Sequence, residues 1–103
     1  MRIVIAPPNE EAYAYKTENE LEAFQTIVGG YIEAVTVTIN GDTFCLFCNE
    51  DGLFKQLPYN RTINGFNLHG TIAFLDREGK TGLTKEEANN LLDSLNYPYS
   101  VVR

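Results

Sequence analysis

The sequence is that of one small acidic domain. Its 103 residues suit a single domain over 1–103, and the 44% hydrophobic and 21% charged residues are ordinary for a globular protein. Fourteen acidic and eight basic residues give a net charge of −6, which disfavours direct binding to nucleic acid or to an anionic membrane surface. The sequence has no apolar run long enough to span a membrane and no secretory signal at its start, so a cytoplasmic protein with reduced cysteines is expected.

The first elements in chain order are short and extended. Residues 2–6 (RIVIA) predict a strand, which Pro7 and Pro8 end. Residues 9–16 alternate weakly around Tyr13 and Tyr15, and they fit either a brief strand or an extended arm.

A helix is predicted between Thr17 and Gly29. Thr17 and Glu20 have the spacing of a capping box, and Gly29-Gly30 is a typical helix stop. Helical spacing of apolar residues predicts one buried stripe: Leu21, Phe24, Ile27 and Val28. Glu18 and Glu22 would then form an acidic helix face, which is either solvated or a contact surface.

A hairpin follows the helix. Residues 31–39 are rich in β-branched and aromatic residues, and Asn40-Gly41 predicts a type I′ turn. That turn places Val37 opposite Phe44, and likewise Val35 opposite Leu46, Thr38 opposite Thr43 and Thr36 opposite Cys45. The apolar Val37 side of this hairpin is expected to pack under the helix.

The next segment contains a second turn sequence and an irregular stretch. Asp51-Gly52 predicts a second turn, after which 53–57 would return as a strand that Pro58 ends. Residues 59–67 (YNRTINGFN) predict an irregular loop, long enough to suggest a functional role. Residues 69–75 regain strand character.

A second amphipathic helix is predicted near the end of the chain. Thr84 and Glu87 repeat the capping-box spacing, and Asn96 and Pro98 would end the helix. Its apolar stripe comprises Ala88, Leu91, Leu92 and Leu95. The predicted fold is therefore α+β, with an antiparallel sheet of about four to five strands and two amphipathic helices packed on it. The tail 97–103 could lie against the sheet or fray.

Cys45 and Cys48 form a C-x-x-C pattern, for which metal binding, thiol redox chemistry and simple burial are the alternatives. A strand points residues three apart to opposite faces, so the two sulfurs should not converge. His69 is the single histidine. We therefore predict two buried cysteines, with no metal and no cofactor.

No catalytic motif is recognisable. The glycine-containing loops match neither the phosphate-binding loop nor the dinucleotide fingerprint. A pair of carboxylates among Glu33, Glu50 and Asp51 leaves a hydrolase as a weak alternative. The expectation is a protein that is not an enzyme.

The candidate binding surface consists of polar and aromatic loop residues. Arg61 next to Tyr59 is a frequent recognition pair, although asparagines in such loops also serve turn geometry. The candidate binding residues are Asn49, Glu50, Asp51, Tyr59, Asn60, Arg61, Gly70 and Thr71.

Four blocks of residues carry a family resemblance: Leu21, Gln25 and 28–33 (VGGYIE), then Asn49, Glu50 and Gly52, then Leu57, Pro58 and Asn60, then Gly70 and Thr71. Over about residues 18–75 the chain resembles an uncharacterised small domain of phage and conjugative or mobile-element proteins. The resemblance supplies no catalytic residue. It implies an accessory protein of a bacterial host cell that binds and modulates a host protein, in the manner of anti-restriction or anti-CRISPR inhibitors. A small-ligand or nucleotide-binding module using Arg61, Tyr59 and Glu50 is the alternative.

Overall fold

Strands β1 and β2 precede the first helix, and α2 closes the part of the chain that the computed structural model describes, residues 1–96. The elements are β1 (Arg2–Ala6), β2 (Tyr13–Lys16), α1 (Leu21–Val28), β3 (Ile32–Ile39), β4 (Asp42–Asn49), β5 (Tyr59–Ile63), β6 (Phe66–His69), β7 (Ile72–Leu75) and α2 (Lys85–Asn96). The tail 97–103, for which packing and fraying were both open, lies outside the described residues.

Five strands form one antiparallel sheet in the order β2-β1-β7-β4-β3, and β5 and β6 form a separate hairpin. The predicted α+β class is confirmed. The strands β1 and β7 are buried almost throughout because they lie inside the sheet and are covered on both faces.

The sheet is the middle of three layers. Helix α1 covers one face, where Phe24 packs with Ile3, Ile5, Ala73 and Leu75. Helix α2 and the β5–β6 hairpin cover the other face, whose larger core includes Leu46, Ile63, Phe74 and Leu91.

The register predicted for the β3–β4 hairpin is confirmed, but the face assigned to the first helix is wrong. Val37 pairs with Phe44 and Val35 with Leu46 around the Asn40-Gly41 turn, whose φ angles are 52° and 86°. This apolar face packs in the core beneath α2 and the β5–β6 hairpin. Helix α1 packs on the opposite face, because β1 and β7 are apolar on both sides and provide the surface that it contacts.

The capping box predicted at Thr17 is also wrong. The Thr17 backbone extends the β1–β2 pairing, since it exchanges hydrogen bonds with Met1 at 3.0 and 2.8 Å. Helix α1 begins at Leu21 after an extended Glu20 that has no side-chain cap. The predicted end is confirmed, because Gly29 has φ 79° and its N–H bonds to the Gln25 carbonyl.

Two predictions for the middle of the chain are corrected. The predicted strand 53–57 is a compact turn, because β4 finds its second neighbour in the distant β7. The predicted loop 59–67 forms most of the β5–β6 hairpin, whose turn is Asn64-Gly65 with φ angles of 50° and 85°. The predicted strand 69–75 is divided between β6 and β7.

The second capping box is confirmed at the start of α2. The Glu87 N–H bonds to Thr84 Oγ1 at 3.1 Å, and the Thr84 N–H bonds to Glu87 Oε1 at 2.8 Å. Neither helix of residues 1–96 has the length and apolar character needed to cross a membrane.

An asparagine side chain takes the place of a neighbouring strand at each edge of the sheet. The Asn64 amide pairs with both the N–H and the carbonyl of Thr38, at 2.7 and 3.0 Å, on the β3 edge. The Asn96 amide pairs in the same way with Ala12, just before β2, at 2.7 and 2.8 Å. Each amide supplies the donor and acceptor of one missing strand residue.

Candidate binding groove beside strand β3

A groove lies between the start of β3, the turn that follows β4, and strand β6. Its volume is about 180 Å³, and its walls include Glu33, Val35, Glu50, Leu53, Phe66 and His69. The volume is below the range of about 300–1,000 Å³ that is typical of small-molecule sites. The groove therefore suits one or two side chains of a larger partner better than a whole small ligand.

The turn at residues 50–56 forms one wall and carries an apolar tip. Leu53 is 73% exposed and Phe54 is 89% exposed, the two highest values among the large hydrophobic residues described. Main-chain hydrogen bonds hold the turn, from Lys55 N to Asp51 O at 2.8 Å and from Leu57 N to Gly52 O at 2.9 Å. The turn thus presents Leu53 and Phe54 to solvent on a hydrogen-bonded scaffold.

Asn49 fixes this turn to the rest of the fold. Its side chain is buried, its Nδ2 donates to the Val28 carbonyl at 3.1 Å, and its Oδ1 accepts from Asp51 N at 2.8 Å. Asn49 was a predicted binding residue, but both ends of its amide are used in joining α1, β4 and the turn.

The rim of the groove is acidic. Glu33 and Glu50 line it and are exposed, and the exposed Asp51 is the next residue along the turn. Among the described residues that line the groove, none is a lysine or arginine. A partner surface carrying basic residues would therefore find complementary charge here.

Asn60 and Arg61, two further predicted binding residues, connect structural elements. Asn60 Nδ2 donates to the carbonyls of Ala6 and Gly70, both at 2.8 Å. Arg61 Nε donates to Asn60 Oδ1 at 2.8 Å, and Arg61 Nη1 donates to the Leu95 carbonyl at 3.4 Å, at the end of α2. Burial of the Arg61 guanidinium lowers its pKa from the usual value, although the group stays charged.

Tyr59, Gly70 and Thr71 complete the set around β5 and β6. The Tyr59 hydroxyl is 2.6 Å from Thr62 Oγ1, and its half-exposed ring packs edge-on against His69. Gly70 is buried with φ 83°, and a Cβ there would lie 2.8 Å from Leu57 Cδ1. Thr71 is partly buried before β7.

The predicted binding surface draws on two segments of the chain, the turn at 49–52 and the predicted loop 59–67, and the structure brings parts of them together. Residues 49, 50 and 52 of the first segment share the groove with residues 66 and 67 of the second. Arg61 instead points to the end of α2.

The predicted acidic helix face is not a single face. Glu22 lies in the first turn of α1, but Glu18 precedes the helix by three residues. Both side chains are exposed.

Cys45 and Cys48 occupy opposite faces of β4, as their spacing predicts. Cys48 lies in the core beneath α2, whereas Cys45 packs against Gly79 on the other side. Burial is the main cause that raises the pKa of both thiols, that of Cys48 to about 11. Within residues 1–96, no three His, Cys, Asp or Glu side chains are grouped closely enough to hold a metal ion.

A second cleft, of about 330 Å³, lies between the β3–β4 turn and α2. Its polar wall includes Asn40, which is hydrogen-bonded to Ser94. Its large apolar residues, including Phe44 and Leu91, are buried. This cleft offers no exposed apolar anchor comparable to Leu53 or Phe54.

None of the candidate binding residues predicted from the sequence is one of the exposed apolar residues found here, Leu53 and Phe66 in the groove and Phe54 at the tip beside it. The one indication was an adjacent Leu-Phe pair directly after a turn sequence, NEDGLF. The pair begins the strand that the sequence predicts over 53–57, and a strand there would not indicate that both side chains are exposed.

One of three comparisons with known proteins confirms that the chain is a member of an uncharacterised domain family. No curated protein and no solved structure matches the chain. A family model described as "Domain of unknown function (DUF3846)" matches residues 1–96, a wider range than the 18–75 over which the resemblance was noted. The chain therefore belongs to this family of domains of unknown function.

Proposed function

We propose that this protein is a small accessory module that acts by binding another protein and that it is not an enzyme. The observation that carries the proposal is the exposed Leu53–Phe54 pair at the tip of the 50–56 turn. Large apolar residues that a scaffold holds in solvent are typical of interface anchors, whereas folding alone would favour their burial.

The surroundings of the tip support a binding role. The groove beside it has an apolar wall of Val35, Leu53 and Phe66 and an acidic rim of Glu33 and Glu50. An apolar centre with a charged rim is the usual composition of a protein interface. Because the turn is already hydrogen-bonded, less conformational entropy is lost when a partner binds.

The partner we propose is a host protein, and the setting is a phage or another mobile element. Support for this setting comes from the resemblance described above, and inhibition of a host defence system is its most specific form. The alternative of a nucleotide site has less support from the geometry, since Arg61 already donates to Asn60 and Leu95.

The test is capture of partners from a bacterial lysate with the wild type and two variants. Leu53→Ser with Phe54→Ser removes the tip, and Leu21→Ser is the matched control because Leu21 is also exposed, at 64%, but lies on α1. We expect a protein that the wild type and Leu21→Ser capture and that the tip variant loses. Equal capture by all three proteins would contradict the proposal, and loss only with Leu21→Ser would move the interface to α1.

A further inference from the structure

We propose that the edge of β3 binds an extended segment of the partner protein, which adds to the sheet as a sixth strand and places alternate side chains in the groove. This inference rests on the proposed function and gives the partner segment a conformation and a sequence pattern.

The backbone of β3 offers unpaired groups along its outer edge. Asn64 occupies both the N–H and the carbonyl of Thr38 from outside the β3–β4 ladder. Along a strand of an antiparallel pair, the backbone N–H and carbonyl groups of alternate residues point toward the partner strand or away from it. The backbone groups of Thr36 and Ala34 therefore point away from β4, as those of Thr38 do. Within residues 1–96, no hydrogen bond reaches these outward groups of Thr36 and Ala34. An added strand would find two donors and two acceptors in register.

Apart from the Asn64 side chain at Thr38 and the single charge of Glu33, the edge of β3 has none of the usual protection against strand addition. Natural edge strands are short, or they carry lysine, proline or a bulge. Strand β3 is eight residues long (IEAVTVTI), pairs regularly with β4 throughout, and contains neither lysine nor proline. The opposite edge, β2, is four residues long and includes Lys16. Strand addition therefore favours the β3 edge.

The groove determines which side chains the added strand needs. Residues opposite Glu33 and Val35 would lie on the groove side of the sheet, because directly paired residues share a face. A basic residue opposite Glu33 would also meet the acidic rim at Glu50. An apolar residue opposite Val35 would contact Leu53 and Phe66, which line the same groove.

The occupant is therefore a strand of a different protein in which an apolar residue and a lysine or arginine are two positions apart. A second copy of this chain is disfavoured as the occupant. Each copy carries a net charge of −6 and would bring a second acidic rim to the same place.

The test uses short random peptides displayed on phage and selected on the wild-type protein. We expect selected peptides to share an apolar and a basic residue two positions apart and to bind Thr36→Ala within about twofold of wild type. Thr36→Pro should weaken binding by about tenfold or more, since proline removes the outward N–H and obstructs the edge. Because Thr36 has the same outward orientation as Thr38, its N–H points away from β4, so the proline variant should keep its fold, which circular dichroism would verify.

Amide exchange measured by NMR provides a second measurement on the unmodified protein. A selected peptide should protect the amides of Ala34 and Thr36 from exchange, and Glu33→Gln should weaken its binding. Equal binding by Thr36→Pro and Thr36→Ala, protection confined to other residues, or no peptide with Kd below about 1 mM would overturn the inference. A homodimer formed through β3 would overturn it as well.

These outcomes separate the inference from the proposed function. If the Leu53/Phe54 variant loses its captured protein but Thr36→Pro retains it, the tip binds a partner without strand addition. If the tip variant captures everything that the wild type does, the proposed function itself fails.

Discussion

The Asn49 amide donates to the Val28 carbonyl at 3.1 Å, and this bond joins the end of β4 to the end of α1. The two residues are 21 positions apart. Because the same amide accepts from Asp51 N at 2.8 Å, one buried side chain positions the helix end and the 50–56 turn together. The placement of the apolar tip therefore depends on the interior of the fold.

We expect Asn49→Asp to destabilise the protein by about 1–3 kcal/mol. The substitution keeps an acceptor for Asp51 N but replaces the donor with an oxygen that faces the Val28 carbonyl. Urea unfolding would measure the change. Asn67→Asp is the matched control, since the exposed Asn67 only accepts from Thr62 Oγ1 and a carboxylate can do the same. Equal midpoints for both variants would contradict the assigned role.

The two adjacent glycines should respond differently to alanine. Gly29→Ala should cost about 1 kcal/mol, because φ is 79° while the added Cβ has space. Gly30→Ala should cost more, because its Cβ would lie 2.8 Å from Asn49 Nδ2, which the bond to Val28 holds in place. Gly41→Ala is the control for conformation alone, with φ 86° and no atom within 4 Å. A denaturation midpoint less affected by Gly30→Ala than by Gly29→Ala would show that Asn49 moves freely.

Cys48 should make the stability fall with rising pH in an alkaline window. Burial, with a contribution from Glu33, raises its pKa from 9.0 to about 11 in the folded protein. Above pH 9 the unfolded chain loses this proton while the folded chain keeps it, so unfolding becomes more favourable until about pH 11. The contribution of Cys48 to the free energy of unfolding is therefore at its full value below pH 9 and decreases as the pH rises from 9 to about 11.

The measurement is the free energy of unfolding between pH 8 and about pH 11, for the wild type and for Cys48→Ala. The difference between the two proteins isolates Cys48 from tyrosines and lysines that also titrate in this range. We expect that difference to narrow as the pH rises. A constant difference would mean that the thiol ionises alike in the folded and unfolded protein.

Arg61→Ala should destabilise the protein, by about 1–2 kcal/mol. If Arg61 lay in an exposed loop, as the sequence predicts, its truncation would have little effect on folding. In the structure Arg61 is half-buried and donates to Asn60 Oδ1 and to the Leu95 carbonyl. Thermal unfolding followed by circular dichroism would measure the loss. Arg77→Ala is the control, since Arg77 is exposed in the loop before α2. Equal melting temperatures for the two variants would mean that Arg61 contributes little to the fold.

The elements that could be predicted from the sequence are those specified by adjacent residues. The Asn40-Gly41 turn determined the β3–β4 register, and Thr84 with Glu87 located the start of α2, because both patterns act within a few residues. The Thr17 capping box failed for a non-local reason, since Thr17 is paired with Met1.

The loop predicted over 59–67 and the strand predicted over 53–57 are wrong because contacts with residues distant in the sequence determine these segments. Asn64-Gly65 has the same turn sequence as Asn40-Gly41, but β5 shows no apolar alternation because its Asn60 and Arg61 side chains bond to distant carbonyls. Gly52 suggested a hairpin, yet its lack of a side chain serves close packing, since a Cβ there would lie 2.9 Å from the His69 carbonyl oxygen.

The candidate site was predicted by location better than by residue. The groove lies partly between the predicted segments 49–52 and 59–67, but the side chains of the predicted binding residues Asn49, Asn60 and Arg61 join elements of the fold. Exposure of Leu53 and Phe54 depends on main-chain bonds within the turn, which a hydrophobic pattern does not reveal.

The position of β7 between β1 and β4 has a consequence for synthesis on the ribosome. Strand β7 is the last strand of the sheet to be translated, and β1 and β4 make no sheet contact except through it. Before Ile72 emerges, the strands of the nascent chain can pair only as the separate β1–β2, β3–β4 and β5–β6 hairpins, and isolated hairpins are marginal in water. A truncated product that ends there would expose Phe44 and Leu46, both buried in the complete fold, to chaperones and proteases.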